Sequence, residues 1–422
     1  MKPDFYLCVL LAGLHSVAHC SHEDGHDNHD ANSTEHDSKH EGEAMACLKL
    51  VPNNADFAFR LYKEITLEEP NKNIFFSPVS ISTAFAMLAY AARSTTHTQI
   101  LEGLAFNLTE IEEREIHEGF QHLIYMLNNP DSQLQLNMGN AIFLREKLKP
   151  LQEFLEGIKN LYDAEAFTAN FKDSTEAEKQ INTYVEKKTH GKIVDMVKNL
   201  DPETAMVLIS FIYFKGKWEK PFASEFTRER DFFVDEETTV KVPMMHRTGM
   251  FYMHFDHDLS CTVLRLHYNG SATAFFILPE KGKMKQLEDA LVKETVSRWS
   301  ESLFLSQGCA LAYLYIPKFS ISGTYQIKKL LMKMGITDVF TDNADLSGIT
   351  GTPDFKVSKV VHKAVVNVDE RGSEAAAATA VEIMPLSLPP PIEFNSPFLM
   401  LIFDRVTNST LFIGKIMNPN EQ

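Results

Sequence analysis

The stretch AMVLISFIYF, Ala205 to Phe214, places the tightest limit on how this 422-residue chain can fold. It is hydrophobic at every position except Ser210, and an apolar run of this kind suits a strand at the centre of a sheet. A buried central strand requires a large core, and the hydrophobic content of 44% is sufficient for one. The pattern is globular from about Val51 to the end, without a Pro/Gly/Ser linker or an internal repeat. We therefore expect one large domain.

Apolar periodicity predicts helices in the first part of this domain. Phe57, Leu61 and Ile65 recur at helical spacing. The stretch SPVSISTAFAMLAYAAR starts with Ser77 as an N-cap and Pro78 at the first helical position. Because it is apolar on most sides, we expect this helix to be buried.

Alternating apolar runs predict hairpins in the second part. TVLRLHY and TAFFILP flank the turn NGSA, and PFLMLIFD and TLFIGKI form a similar pair near the C-terminus. Together with the helices, they predict an α+β protein with large, mainly antiparallel sheets.

The N-terminus predicts an exported protein. Lys2 precedes the short apolar stretch YLCVLLAGL, and small residues follow, which is typical of a secretory signal over residues 1–20 with cleavage near 18–24. The apolar stretch is too short to span a membrane, so we expect a secreted, extracellular protein. Sequons for N-glycosylation begin at Asn32, Asn107, Asn269 and Asn408.

Charge and cysteine content restrict the partners and the means of stabilisation. The formal net charge of −16 argues against nucleic acid and anionic membranes as partners. Much of this charge lies in residues 21–46, a polar, His-rich stretch that we interpret as a disordered tail.

Beyond the signal and its edge, the cysteines of the chain are Cys47, Cys261 and Cys309. These are too few for a disulfide scaffold, so the core must hold the fold.

Histidine clusters do not point to a metal site or a catalytic site. HEGFQH spaces His117 and His122 five residues apart, whereas the zinc-protease helix needs a spacing of four. HFDHD, His254 to Asp258, has ligand-type side chains but is expected in a strand or turn. No G-x-S-x-G elbow, P-loop or G-x-G-x-x-G is present, so no motif in the sequence points to an enzyme or to a cofactor. The tail histidines lack a fixed geometry for a metal; they are His22, His26, His29, His36 and His40.

The segment GSEAAAATAVEIMPLSLPPP, Gly372 to Pro391, is the most unusual part of the chain. Its alanine run favours a helix by propensity, yet prolines close it and the β-branched stretch KAVVNV precedes it. Small or β-branched residues alternate from Ser373 to Val381, and no proline interrupts until Pro385, so this part could join a sheet as a strand. The following IMPLSLPPP is stiff and extended, a form that a protease cleft binds.

The chain resembles the serpin superfamily from about Val51 to Pro419. The motifs of this resemblance are NIFFSPVSISTAFAML, FKGKWEKPF, ITDVFTDNADLSGI, VHKAVVNVDERGSEAAAATA and FNSPFLMLIFDRVTNSTLFIGKIMNP. The resemblance implies a multi-sheet serpin domain over residues 47–422, with three β-sheets, about nine helices and an exposed reactive-centre loop over 370–391. It also implies a suicide inhibitor of chymotrypsin-like or elastase-like serine proteases. The protease cleaves the loop, forms an acyl-enzyme and is trapped when the loop inserts into the large sheet.

The resemblance further implies roles within the loop. Cleavage is expected between Leu386 and Ser387, with Leu386 as the specificity residue and with Met384 and Pro385 before it in the cleft. Glu370 to Val381 is the hinge that inserts, Gly372 is its pivot and Ser373 its first buried side chain. The hinge positions are Glu370, Gly372, Ser373, Ala375, Ala377 and Thr379.

Residues outside the loop are implied to control its insertion. Glu370 should pair with Lys318, and Trp218 should pack where the loop first joins the sheet, at the breach. The gate in the middle of the sheet, the shutter, is expected to contain Ser77, Ser80, Ser210 and His362, with Ser210 where the family usually has asparagine.

The expected partner is a serine protease held in a covalent acyl complex, and the protein itself is expected to be a monomer. Heparin is not expected as a partner, because NLTEIEEREIHEGF is acidic where a heparin-activated relative would be basic. The alternative is a non-inhibitory relative that carries a hormone or another ligand in plasma. The small residues of the hinge favour inhibition over this alternative, and a storage or interaction protein without loop function is a third hypothesis.

Overall fold

The computed structural model describes residues 46–129, 134–305, 309–372 and 391–421. The predicted signal peptide, the acidic tail except Ala46, and the loop from Ser373 to Pro390 lie outside the described residues. Within the described ranges, no helix has the length and apolar character needed to cross a membrane.

Helices and strands alternate along the chain as an α+β order. The helices are α1 (Val51–Glu68), α2 (Pro78–Ala91), α3 (Ser94–Gly103), α4 (Glu113–Leu127), α5 (Gln152–Tyr162), α6 (Ser174–Lys188), α7 (Met284–Asp289), α8 (Lys293–Leu305), α9 (Ile327–Lys333) and α10 (Ser347–Thr350), with short 3-10 turns at Ser224–Phe226 and Asp338–Phe340. The strands are β1 (Ile74–Phe76), β2 (Gln135–Arg145), β3 (Glu165–Ala169), β4 (Met206–Lys215), β5 (Arg228–Phe233), β6 (Thr239–Asp256), β7 (Cys261–His267), β8 (Ala272–Pro279), β9 (Cys309–Pro317), β10 (Phe319–Gln326), β11 (Lys359–Val368), β12 (Pro391–Glu393), β13 (Phe398–Asp404) and β14 (Thr410–Ile416).

A five-stranded sheet contains the predicted central strand. Its order is β10-β11-β4-β2-β3, so β4 lies in the middle, and every residue of β4 except Lys215 is buried. Strand β4 is antiparallel to β2 but parallel to β11. The prediction from the apolar run is confirmed, because both faces of β4 are covered by hydrophobic clusters.

The remaining strands form one nine-stranded sheet in the order β1-β14-β13-β8-β7-β6-β9-β12, with β5 paired to β6. Both predicted hairpins, β7–β8 and β13–β14, are confirmed as antiparallel pairs. Hydrogen bonds connect two of the three expected sheets into one, because β6 is long enough to belong to both. Its middle part, from Met244 to Tyr252, pairs with β9, and from Tyr252 onward it pairs with β7.

Helix α2 lies between the two sheets and contacts β2 and β4 on one side and β14 on the other. Ser77 caps it by accepting a hydrogen bond from the Ser80 backbone amide, and Pro78 follows the cap, as predicted. Because sheets surround it, every residue of α2 except Tyr90 is buried, which explains why its sequence has no polar face. The predicted α1 residues Phe57, Leu61 and Ile65 are also buried.

The candidate ligand residues of the sequence fall into ordinary structural positions. His117 and His122 are buried on α4, and His117 contacts the Tyr162 hydroxyl. The stretch HFDHD spans the end of β6 and the next turn, where buried Asp256 accepts hydrogen bonds from Arg298 and Trp299. Cys47, Cys261 and Cys309 form no disulfide within the described residues, so packing and hydrogen bonds hold this part of the fold together.

Candidate functional site: loop anchor and sheet gate

Strand β11 ends in a tight turn, Asp369 to Gly372, that we call the loop anchor. A single antiparallel bridge pairs Asp369 with Gly372, and the Gly372 amide donates to the Asp369 carbonyl at 3.2 Å. Gly372 has φ +94, and a Cβ there would lie 2.3 Å from the Gly216 carbonyl oxygen. Only glycine fits this left-handed position against another backbone. The predicted pivot therefore has a conformational reason to be glycine.

Trp218 fixes the loop anchor from one side. Its indole Nε1 donates to the Asp369 carbonyl at 2.9 Å, and its backbone amide donates to the Arg371 carbonyl at 3.1 Å. The indole stacks on Tyr268 with ring centroids 4.1 Å apart. Trp218 thus lies where the loop leaves the sheet, at the position that the resemblance implies.

Glu370 fixes the loop anchor through a buried carboxylate. Its two oxygens accept hydrogen bonds from Lys318 Nζ at 2.9 Å and from Thr227 Oγ1 at 2.8 Å, and its carbonyl accepts from the Phe222 amide at 2.7 Å. The residue is 8% exposed. Burial raises the pKa of this carboxyl, but hydrogen bonds from Lys318, the backbone and Thr227 outweigh burial and leave the pKa below its usual range. The Lys318–Glu370 pair implied by the resemblance is present.

The other end of the loop is fixed as well. Pro391 starts β12, which pairs in parallel with β9 through Ile392 and Leu314. The loop is therefore tied to the five-stranded sheet at one end and to the nine-stranded sheet at the other. The remaining predicted loop residues lie outside the described residues; they are Ser373, Ala375, Ala377, Thr379, Met384, Pro385, Leu386 and Ser387.

A buried hydrogen-bonded group, which we call the gate, connects β4, β11 and the start of α2. The Ser77 amide donates to His362 Nε2 at 3.1 Å, and Ser210 Oγ lies 3.3 Å from His362 Nδ1. Ser80 Oγ lies 2.7 Å from Ser210 Oγ. His362 and Ser210 are direct partners in the parallel pairing of β11 with β4. The structure thus brings together all four residues that the resemblance implies for the shutter.

His362 is neutral in the gate. Complete burial is the main cause that lowers its pKa to about 3, against a weaker opposing hydrogen bond to the Ser210 backbone. Since Nε2 accepts from the Ser77 amide, the proton of the neutral ring belongs on Nδ1, facing Ser210. Ser210 therefore serves as acceptor for the imidazole and as partner for Ser80, a role for which one small hydroxyl is sufficient.

Several anchoring groups could not be found by sequence reasoning. Thr227 and the Phe222 amide bind Glu370 from positions more than 140 residues before it in the chain. No motif or spacing indicates these contacts, because they depend on how the segment after β4 folds back over the end of β11.

The sequons differ in their surroundings. Asn107 is exposed, and its Oδ1 accepts hydrogen bonds from the amide and hydroxyl of Thr109. Asn269 is partly exposed and its backbone amide is bonded to the Lys217 carbonyl. Asn408 is exposed with φ +51, and Asn32 lies outside the described residues. Glycosylation of these asparagines stays a prediction.

A family model described as "Serpin (serine protease inhibitor)" matches residues 52–419 of the chain. The chain belongs to the serpin family. Among curated proteins, this serpin is 52% identical over 417 residues to alpha-1-antitrypsin of Sus scrofa and 52% identical over 413 residues to alpha-1-antiproteinase of Bos taurus. In both cases the match covers 98% of this chain and 98% of the relative.

Solved serpin structures match the fold along their whole length. Human glycosylated kallistatin aligns with a TM-score of 0.85 at 47% identity, covering 89% of this chain and 100% of that one. Human thyroxine-binding globulin aligns with a TM-score of 0.85 at 44% identity, with the same two coverages. The α+β fold implied by the resemblance is therefore confirmed, and the family is one of protease inhibitors rather than of enzymes.

We predict that His362 makes this serpin less stable as the pH falls from about 6.5 to about 3. The folded state keeps the imidazole neutral down to about pH 3, whereas the unfolded chain takes up a proton near pH 6.5. The unfolded state binds more protons in this window, so the free energy of unfolding decreases with falling pH. We expect the free energy of unfolding, measured with denaturant between pH 4 and 8, to fall less steeply with decreasing pH for His362→Gln than for the wild type.

Buried His117 and half-buried His267 also have pKa values that burial lowers. Both are present in the wild type and in His362→Gln, so their effects on stability cancel in the comparison. Above about pH 7 the two curves should run parallel, since His362 is then neutral in both states. A difference between the two proteins that is constant over the whole pH range would contradict the prediction.

Proposed function

We propose that this serpin is a secreted suicide inhibitor of chymotrypsin-like or elastase-like serine proteases. The protease cleaves the bond between Leu386 and Ser387 and is trapped as an acyl-enzyme when the loop inserts into the five-stranded sheet. The main support is the direct parallel pairing of β4 with β11, next to a loop that follows β11 through a tight turn.

Strand polarity favours insertion at this place. A segment that continues from β11 through the loop anchor runs antiparallel to β11. Since β4 is parallel to β11, the same segment would also run antiparallel to β4. One parallel ladder would be replaced by two antiparallel ladders, which pair slightly better per residue. Each added hydrogen bond contributes about 0.5–1.5 kcal/mol net. The inserted form should therefore be more stable than the form in which β4 pairs directly with β11.

The register of the loop anchor indicates which loop side chains would become buried. The bridge joins Asp369 to Gly372, so a hairpin continued from it pairs Ser373 with Val368 and Glu374 with Asn367. Directly paired residues share a face of the sheet. Val368 is 1% exposed in the core, whereas Asn367 is exposed. Ser373 would therefore enter the core and Glu374 would face outward.

The same register continues along the hinge. Ala375 and Ala377 would lie opposite Val366 and Ala364 in the core, and Thr379 would lie opposite His362 in the gate. All are small or β-branched, which suits a strand entering between closely packed neighbours. Insertion must separate β4 from β11 and break the contact between Ser210 and His362 at 3.3 Å. We propose that this contact sets part of the barrier to opening.

A carrier function is the alternative, because thyroxine-binding globulin is a relative and has been solved in complex with thyroxine. Non-inhibitory relatives tend to have bulky, charged or proline residues in the hinge. Here the hinge after Gly372 reads SEAAAATAV, and its positions on the core face are all small or β-branched. This composition supports inhibition over transport.

Export and surface properties complete the proposal. Residues 1–20 would be a signal peptide cleaved near 18–24, and residues 21–46 a solvated acidic tail. The sequons at Asn32, Asn107, Asn269 and Asn408 would be the sites of glycans. The protein would act as a monomer, without cofactor, metal, nucleic acid, membrane or heparin.

We predict a covalent complex with chymotrypsin-like or elastase-like proteases that survives boiling in denaturant. Its formation releases a C-terminal peptide, and N-terminal sequencing of that peptide should begin at Ser387. The physical reason is that Leu386 would offer an apolar side chain to an apolar primary pocket of the protease. A peptide that starts elsewhere would refute the cleavage assignment, and plain turnover without a complex would favour the carrier function.

We predict that Leu386→Arg redirects inhibition toward trypsin-like proteases. Their primary pocket contains a carboxylate that pairs with a cation, which leucine cannot supply. Association rate constants with chymotrypsin and trypsin should change in opposite directions, and Leu386→Met serves as the apolar control. Comparable inhibition of trypsin by the wild type through the same bond would show that this side chain does not set specificity.

We predict that Ser373→Arg converts the inhibitor into a substrate. The charged side chain would have to enter the core opposite Val368, at a cost of several kcal/mol, so insertion slows and the acyl-enzyme hydrolyses. Glu374→Arg places the same side chain opposite exposed Asn367 and is the matched control, which should still inhibit. Gel assays of complex against cleaved product measure the partition between the two outcomes.

Thermal unfolding provides an independent check of insertion. The cleaved wild type should have a much higher melting temperature than the intact protein, because the inserted strand completes the sheet. For Ser373→Arg, cleavage should raise the melting temperature by a smaller amount. Equal melting temperatures for intact and cleaved wild type would mean that the loop does not insert.

A further inference from the structure

Asn140 on β2 lies in the same buried row as the gate, although no motif of the sequence indicates it. In the register of the five-stranded sheet, Asn140 is directly opposite Ser210 on β4, and Ser210 is directly opposite His362 on β11. Directly paired residues share a face of the sheet, so Asn140 lies on the face that α2 covers. It is 2% exposed. Its side-chain amide is therefore held in the interior of the domain, next to the gate.

The side-chain amide of Asn140 carries an acceptor that lacks a donor. Among the residues that the structure describes, no group donates a hydrogen bond to Asn140 Oδ1. The row is closed toward β11, because Ser210 pairs directly with His362. Residues 130–133, the nearest segment in the chain outside the described residues, end seven residues before Asn140, roughly 23 Å away along an extended strand. An unpaired polar group in the interior destabilises a fold and is rare in native proteins.

Ser210 is the direct neighbour of Asn140, but its single proton is engaged elsewhere. Its oxygen accepts the Nδ1 proton of His362 at 3.3 Å. Ser80 Oγ donates to the Phe211 carbonyl at 3.5 Å, so Ser210 is the donor in its 2.7 Å contact with Ser80. The Cβ atoms of a direct pair are about 4.5–5.5 Å apart, and the short hydroxyl does not span this distance to Asn140 Oδ1. An asparagine at position 210 would extend an amide N–H group toward it.

We propose that Asn140 is a positioning residue for loop insertion, because its unpaired acceptor destabilises the closed gate. Opening separates β4 from β11 at Ser210, which is next to Asn140 in the row, and admits water to both side chains. A hydrated acceptor regains the hydrogen bond that it lacks in the closed sheet. The unpaired acceptor thus raises the free energy of the closed form more than that of the open form, and the barrier to opening is lower by the difference.

This inference rests on the proposed insertion of the loop, but the unpaired acceptor itself can be tested without a protease. Replacing an unpaired buried amide by an apolar group of similar shape removes a desolvated polar group and stabilises the fold. The same replacement of a paired amide breaks a hydrogen bond, leaves the partner unsatisfied and destabilises the fold. The sign of the change in stability therefore distinguishes the two situations.

Denaturant unfolding of the intact protein measures this sign. Asn140→Leu should raise the denaturation midpoint relative to the wild type. Asn137→Leu is the matched control on the same strand, because Asn137 Nδ2 donates to the Lys188 carbonyl at 3.0 Å, and its midpoint should fall. Ser210→Asn, which brings a donor to the Asn140 amide, should raise the midpoint as well.

The double variant completes a mutant cycle. In the Ser210→Asn background the Asn140 amide is paired, so Asn140→Leu should lower the midpoint there, opposite to its effect in the wild-type background. A midpoint of Asn140→Leu below that of the wild type, as for Asn137→Leu, would overturn the proposal. If Asn140→Leu fails to fold, a midpoint of Ser210→Asn below that of the wild type would overturn it.

Gel assays of trapped complex against cleaved product measure the connection to insertion. Insertion competes with hydrolysis of the acyl-enzyme, so slower opening of the gate lowers the ratio of complex to cleaved product. For Asn140→Leu and Ser210→Asn this ratio should fall about fivefold, the factor that corresponds to one hydrogen bond. Raised midpoints with an unchanged ratio would overturn the role of Asn140 in insertion. Cleaved product alone from the wild type would overturn the proposed inhibition instead, and the midpoints would still show whether the Asn140 acceptor is unpaired.

Discussion

The parallel contact between β4 and β11 is the constraint on which the rest of this serpin depends. It closes the centre of the five-stranded sheet, and the buried pair Ser210–His362 crosses it at one register position. Helix α2 reaches the same point, because its cap residue Ser77 donates its amide to His362. Any separation of the two strands therefore disturbs the sheet and the start of the helix together. A neutral histidine suits this point, since a charged one would lack a partner in the core.

The ends of the loop are fixed by interactions of another kind. Gly372 is held by backbone packing that no Cβ permits, and β12 is held by its pairing with β9. Glu370 is held by two hydrogen bonds to its buried carboxylate and by one to its backbone carbonyl. Cutting a segment that is fixed at both ends releases one new end, which can then follow β11 back into the sheet. This explains physically why a proteolytic nick would be the trigger that we propose for insertion.

Trp218 connects two properties of the same region. Its indole N–H holds the carbonyl at the end of β11, while its ring borders a cavity that Arg247 and Arg265 also line. The cavity owes its character to Arg247 and Arg265, which come from adjacent strands, β6 and β7, of the other sheet.

The sequence by itself determined much of this protein. Apolar runs required a buried strand at β4 and a helix without a polar face at α2, because a side chain's hydrophobicity is a local property. Motifs identified the family and, through it, Glu370, Lys318 and the gate residues. Only the tertiary structure decided that β6 joins two sheets, that Thr227 binds Glu370, and that Arg247 and Arg265 line one cavity beside Trp218. Those features arise between segments distant in the chain, and a local pattern contains no information about which distant groups will meet.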